Sequence, residues 1–157
     1  MIAKAAKTSL SIRILTSIVL VSAAGCLIGG AFEGNLLIVG IFLGLVAFLC
    51  YLFAPVAYEV SDGRLTVVFH AGRKCFGPVV SCSRITERLP FTIRLFGNGG
   101  LFAGTGIFWN RRYGIFRAYV TSARPQDAVL VQTANHKVVI TPEDPQAFVE
   151  NIKTLNP

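Results

Sequence analysis

Charge is scarce in the first third of this chain. Residues 14–32 contain no Asp, Glu, Lys or Arg, nor do residues 34–58, and Glu33 alone divides them. A soluble helical hairpin would need polar stripes to face water, and these blocks have none. Acidic residues are few throughout, with 8 Asp+Glu against 15 Lys+Arg and a net charge of +7 over 157 residues. Only two histidines occur, His70 and His136, far apart and without metal-ligand spacing to Cys, Asp or Glu. Of four cysteines, Cys26 and Cys50 lie in the apolar blocks. Cys75 and Cys82, with six residues between them, match no common zinc or redox motif. There is no Gly-x-Ser-x-Gly, no His-Glu-x-x-His and no obvious pair of carboxylates. These absences argue against an enzyme and leave no cofactor or metal site to expect.

What is present is a pair of membrane-length segments. Each block can supply roughly 18–20 residues of helix, about 27–30 Å, which matches a hydrocarbon core. Lipid offers the backbone no hydrogen bonds, so each block should be helical, over about 14–32 and 36–55. Glu33-Gly34-Asn35 reads as a tight turn, and Pro55 as a stop. Lys4, Lys7 and Arg13 precede the first block, while Arg64, Arg73 and Lys74 follow the second. That asymmetry puts both termini in the cytoplasm and the turn outside, at the cell inner membrane. Gly25, Gly29, Gly40 and Gly44 offer close helix approach. A rival reading makes Ala23-Ala24-Gly25-Cys26 a loose lipoprotein cleavage site.

Residues 1–13 read as a basic cytoplasmic tail, 14–55 as the hairpin, and 57–157 as one soluble domain of ordinary size. From Glu59 onward there are 12 Lys+Arg and 7 Asp+Glu, a net of +5, which anionic lipid would attract. Short strands are predicted at 57–60, 64–70, 74–80, 85–95, 104–110, 115–121, 128–133 and 137–140. Asp62-Gly63 forms the first turn. Gly77-Pro78 and Pro90 point to edges or bulges, and Ser81–Arg84 to a short polar link. Leu89, Phe91, Ile93 and Leu95 alternate as a half-buried strand would. Asp144 can cap a last helix with Pro145 at its first position, and Phe148, Val149, Ile152 and Leu155 form its apolar stripe. Many strands and one terminal helix indicate a small barrel or sandwich closed by that helix.

Several segments are shared in kind with a known family. Arg94–Phe102 with its Gly97-Asn98-Gly99-Gly100, Gly106-Ile107-Phe108, Phe116–Thr121, and Ile140–Pro145 with Phe148 resemble the bacterial pleckstrin-homology-like (PH-like) domain proteins. The opening turn at Asp62-Gly63 with Leu65 also fits, so the resemblance covers roughly Ala57 to Leu155. It implies an α+β, membrane-anchored chain: two N-terminal transmembrane helices, then a PH-like β-barrel or sandwich of about seven strands, as two roughly orthogonal sheets, capped by a C-terminal α-helix. Eukaryotic relatives that bind phosphoinositides use a basic loop between their first two strands. Here that loop is the acidic Ser61-Asp62-Gly63, which argues against that route.

Two constellations remain. Five glycines between Gly97 and Gly106 could cradle a phosphate only if a helix followed, and a strand is predicted there instead. The aromatic and basic cluster Trp109, Arg111, Arg112, Tyr113 and Arg117, with Leu101, Phe102, Ile107 and Phe108 nearby, can meet lipid headgroups or a protein partner. Phe108 and Phe116 can equally be core. Single-stranded nucleic acid is the least favoured ligand, and none is expected. The expected function is a membrane-anchored, non-catalytic binding module that recruits a protein or contacts the anionic lipid face. The alternatives are a structural subunit held by its hairpin, and a small-molecule binder or enzyme using the Gly97–Gly106 loop.

Overall fold

A computed structural model describes residues 1–30, 34–87 and 91–155, the last without its side chain. The elements are β1 (Ile2–Lys4), α1 (Leu10–Gly29), α2 (Gly34–Leu52), β2 (Pro55–Ser61), β3 (Arg64–Phe69), β4 (Gly72–Arg84), β5 (Thr92–Gly99), β6 (Gly104–Asn110), β7 (Gly114–Val120), β8 (Val129–Thr133), β9 (Lys137–Ile140) and α3 (Pro145–Leu155). Glu33 of the expected turn, Leu89 and Pro90 of the expected fourth strand, and the Leu155 side chain lie outside the described residues.

Helices α1 and α2, of 20 and 19 residues, are long and apolar enough to cross a membrane. Only 17% and 11% of their apolar windows are buried inside the protein, so their surfaces are not those of soluble core helices. They pack on each other where side chains vanish: a Cβ on Gly40 would stand 2.8 Å from the Leu27 backbone nitrogen. The first helix starts at Leu10 rather than Ile14, and the second ends at Leu52, three residues before Pro55 opens β2.

The segment read as a basic tail is part of the sheet. β1 pairs antiparallel with β2 in the register Ile2↔Glu59, Ala3↔Tyr58 and Lys4↔Ala57. The Met1 amino group donates to the Val60 carbonyl at 2.8 Å. Beyond β1 the chain stays bonded: Ala5 N–H donates to Val56, Ala6 N–H to Thr141, and Ser9 N–H to Thr121, at 2.8–3.1 Å. The Thr121 hydroxyl donates back to Ala6 at 2.6 Å. The helical hairpin is thus an insertion between two neighbouring strands, and both its ends leave from the same side.

The nine strands form one open sheet in the order β1-β2-β3-β4-β8-β9-β7-β6-β5, with β7 and β9 parallel. This corrects the expected barrel or sandwich of about seven strands. β1 adds one strand, and the sheet does not close because β1 and β5 are its two edges. β4 is not an edge either. Its first half pairs with β3 and its second with β8, so Ser81–Arg84 is strand rather than link. Pairing shifts register on both sides of Pro78, between Arg64 and Thr66 and between Val79 and Ser81. The proline that suggested an edge marks the change of partner, where a missing N–H is tolerated.

The main core joins Tyr58, Leu65, Val67, Val129, Val131, Val138 and Ile140 of the sheet to Phe148, Val149 and Ile152 of α3. Asp144 caps α3 as expected, with Oδ1 accepting from the N–H groups of Gln146 and Ala147 at 3.0 Å. A smaller cluster on the other face joins Ile85, Phe116, Ala118, Ala128 and Val139. Tyr58 is fully buried, donates to the Tyr119 carbonyl at 2.7 Å and lies 3.4 Å from the Thr141 amide. Burial pushes its phenol up to about 12, partly offset by the contacts with Thr141.

Two predictions follow from this core. Deleting residues 2–6 leaves several buried backbone groups unpaired, and each costs about 1–3 kcal/mol. The melting midpoint of the full chain in mild detergent should then fall by roughly 10–20 °C. An unchanged midpoint would show that β1 contributes nothing. The second concerns alkali. Below pH 10 the phenol is protonated in both states. Between pH 10 and about 12 only the unfolded chain ionises, so stability falls with rising pH, by about 1.4 kcal/mol per unit. Tyr58→Phe should flatten that part of the pH profile; a profile parallel to wild type would refute the assignment.

Candidate interaction surface

Opposite residues of paired strands share a face, so register decides which side chains meet. Ile93, Trp109 and Ile115 form one cross-strand row, and Phe96, Ile107 and Arg117 the next. A register shift between Arg94 and Phe96 turns Phe96 to this side. The row is open to solvent: Phe96 is 77% exposed, Ile115 65%, Ile93 43% and Trp109 40%. Arg117 is half-buried, with its guanidinium 5.9 Å from the Phe76 ring centre. Beside it lies a hollow of about 430 Å³ reaching from Ile107 and Ile115 to the β8–β9 turn at His136 and Lys137.

The predicted contact residues divide between the two faces. Trp109 and Arg117 belong to the open face, and exposed Arg111 stands in the β6–β7 turn beside it. Arg112 pairs with Glu87 and lies 5.7 Å from the Tyr113 ring centre. Tyr113 packs edge-on against Phe116 in the small cluster on the other face. The turn is tied by fully buried Asn110, whose Oδ1 accepts from the N–H groups of Arg112 at 3.1 Å and Tyr113 at 2.7 Å. Tyr113 therefore lies half-buried on the face away from Trp109. Sequence reasoning passed over Ile93, Phe96 and Ile115 as contact residues. The available signal was apolar residues on both faces of β5 and β7: Ile115 is exposed directly before buried Phe116.

The glycine-rich loop serves a different end. Gly97 and Gly106 face each other at φ +114° and +151°, and a Cβ on either would strike the opposite backbone. That lets β5 and β6 come together just before a loop that reaches the helices. The Phe102 N–H donates to the Thr16 hydroxyl of α1 at 2.9 Å, and its ring meets Tyr51 of α2 edge-on at 5.5 Å. Phe102 takes φ +62°, a left-handed conformation that costs a non-glycine residue about 1–2 kcal/mol. No helix opens from this loop, and its backbone is spent on docking to α1 and α2.

Among the described residues no group of three His, Cys, Asp or Glu could hold a metal ion. Burial pushes the Cys82 thiol up to about 11, with Lys153 drawing it partly back, so it stays protonated near neutrality. His70 stacks on Tyr51 at 4.2 Å, and His136 meets Phe76 edge-on at 6.1 Å.

A largely antiparallel sheet with one C-terminal helix over its core, carrying two membrane-length helices, defines the class as a PH-like domain on a helical hairpin. The bacterial PH domain family matches residues 58–156, and the chain belongs to that family. No curated protein and no solved structure matched. The match starts at Tyr58, so β1 and the hairpin lie outside it although β1 completes the same sheet.

Thr16→Val removes the acceptor of the Phe102 N–H while keeping the helix apolar. Hydrogen exchange at the Phe102 amide should accelerate about fivefold, as expected for a bond worth roughly 1 kcal/mol. Unaltered protection would mean that the loop is held by other contacts.

Proposed function

We propose that the chain is a non-catalytic, membrane-anchored binding module whose PH-like domain recruits a protein partner on the open face of β5, β6 and β7. The observation that carries this reading is the exposed row Ile93, Trp109 and Ile115 with Phe96 beside it, rimmed by Arg111 and Arg117. Exposed apolar residues gathered on one face and rimmed by polar groups favour a partner surface. The β6–β7 turn stands about 20 Å along β6 from the loop docked on the helices, since seven residues rise roughly 3.3 Å each. That separation favours a protein over the lipid surface as the ligand of Trp109 and Arg111. Lys4, Lys7 and Arg13 on one flank and Arg64, Arg73 and Lys74 on the other support a cytoplasmic domain at the inner membrane.

A second reading, a structural subunit held by its hairpin, draws on Gly25. A Cβ there meets nothing within 4 Å, so its notch is open to another helix.

The full chain, crosslinked in its native membrane and extracted in mild detergent, tests both. Trp109→Ser with Ile115→Ser should reduce the crosslinked partner at least tenfold without lowering the melting midpoint. Crosslinking that survives this pair but is lost in Gly25→Phe would replace the first reading by the second.

A further inference from the structure

The β3–β4 turn is fastened to the end of the second apolar helix. The Ala71 N–H donates to the Leu52 carbonyl at 3.1 Å, and His70 stacks on Tyr51. Across from this turn, β6 begins directly after the loop that docks on Thr16. Between the two lies a notch of about 290 Å³ lined by Phe53, Phe69, Arg73, Lys74, Thr105 and Tyr119. It therefore sits where both helices leave the apolar layer.

Its lining combines charge with an apolar floor. Phe69 and Tyr119 meet edge-on at 5.5 Å, and the Lys74 ammonium lies 5.8 Å from the Tyr119 ring centre. Arg73, itself largely exposed, reaches half-buried Glu59 at 3.5 Å, longer than a close charge-assisted hydrogen bond. Among the described residues Lys74 has no carboxylate within ion-pair distance. Thr105 adds a hydroxyl, and exposed Phe53, the first residue beyond α2, offers an apolar edge on the membrane side.

We propose that this notch binds the phosphate headgroup of an anionic phospholipid from the leaflet in which α1 and α2 end. The inference rests on the reading that the helices span a bilayer. Cations attract the lipid to the surface, and the ring floor with Phe53 takes the start of the acyl chains. The site is separate from the acidic Asp62-Gly63 turn, which closes the opposite end of β2 about 20 Å along the strand from Pro55. On β6 its Thr105 shares a face with Trp109 but stands four residues, about 13 Å, along the strand from it, so lipid and protein can be held together.

The test uses the full chain in mild detergent, titrated with phosphatidylglycerol or phosphatidylcholine and read by native mass spectrometry. Wild type should retain phosphatidylglycerol at least tenfold better. Lys74→Gln with Thr105→Val should abolish the preference, while Lys74→Arg and the distant Arg111→Gln should keep it. Equal retention of the two lipids by wild type, or equal loss in Arg111→Gln, would overturn the site. Soluble glycerol phosphate displacing the lipid at equal concentration would overturn the lipid as its source. Carbonate washing of membranes separates the two levels. A chain released by carbonate defeats the spanning reading itself, whereas one retained without lipid preference defeats only the notch.

Discussion

The pairing of β1 with β2 is the constraint on which the architecture depends. Three residues from the extreme N-terminus lie in register with the strand that follows α2, and the chain between Ala5 and Ser9 is bonded to Val56, Thr141 and Thr121. The chain between Lys4 and Pro55, hairpin included, therefore begins and ends within one sheet. A segment that starts and finishes in adjacent strands cannot turn freely against the domain, as a linker would allow. The sheet and the two apolar helices behave as one body, and a fragment beginning at residue 57 would lack an edge strand and expose the groups it covers.

Three further contacts fix how that body is presented. The glycine-rich loop meets Thr16 and Tyr51, the β3–β4 turn meets Leu52 and Tyr51, and the end of β7 meets Ser9, whose hydroxyl accepts from Ala123 at 3.3 Å. All three lie at the strand ends nearest the helices. The Asp62-Gly63 and Arg111–Tyr113 turns lie at the far ends of their strands. Two surfaces follow, one basic and notched beside the helices, the other apolar and aromatic toward solvent. Their separation is a consequence of strand length, since six or seven residues carry a turn about 20 Å.

Much of the fold was legible along the chain. Uncharged blocks of membrane length read as helices because lipid leaves the backbone no other partner. Leu65 and Val67, Asp144 with Pro145, and the stripe of Phe148, Val149 and Ile152 all stand where their spacing indicated. What misled was local pattern without its partners. Ala3 and Ala5 carry no strand signal, and their place comes from β2 and Pro142. Pro78 read as an edge, yet it sits where β4 changes neighbours. Ile93 read as one face of a half-buried strand, yet it stays exposed beside Trp109. Trp109 and Arg117 were chosen for their chemistry and share a face, whereas Tyr113, chosen on the same grounds, faces the small core.

The sequence by itself determined that two helices fit a bilayer, that a strand-rich domain with a capped terminal helix follows, and that positive charge flanks the apolar pair. Each is set by local composition and period, because helix length, strand alternation and capping are properties of neighbours in the chain. Only the tertiary structure decided that the first strand closes over the second, that the glycine loop docks on the helices, and which apolar residues stay open. These depend on register between segments as far as 115 residues apart, as in the bond from Thr121 to Ala6, and no local pattern encodes register.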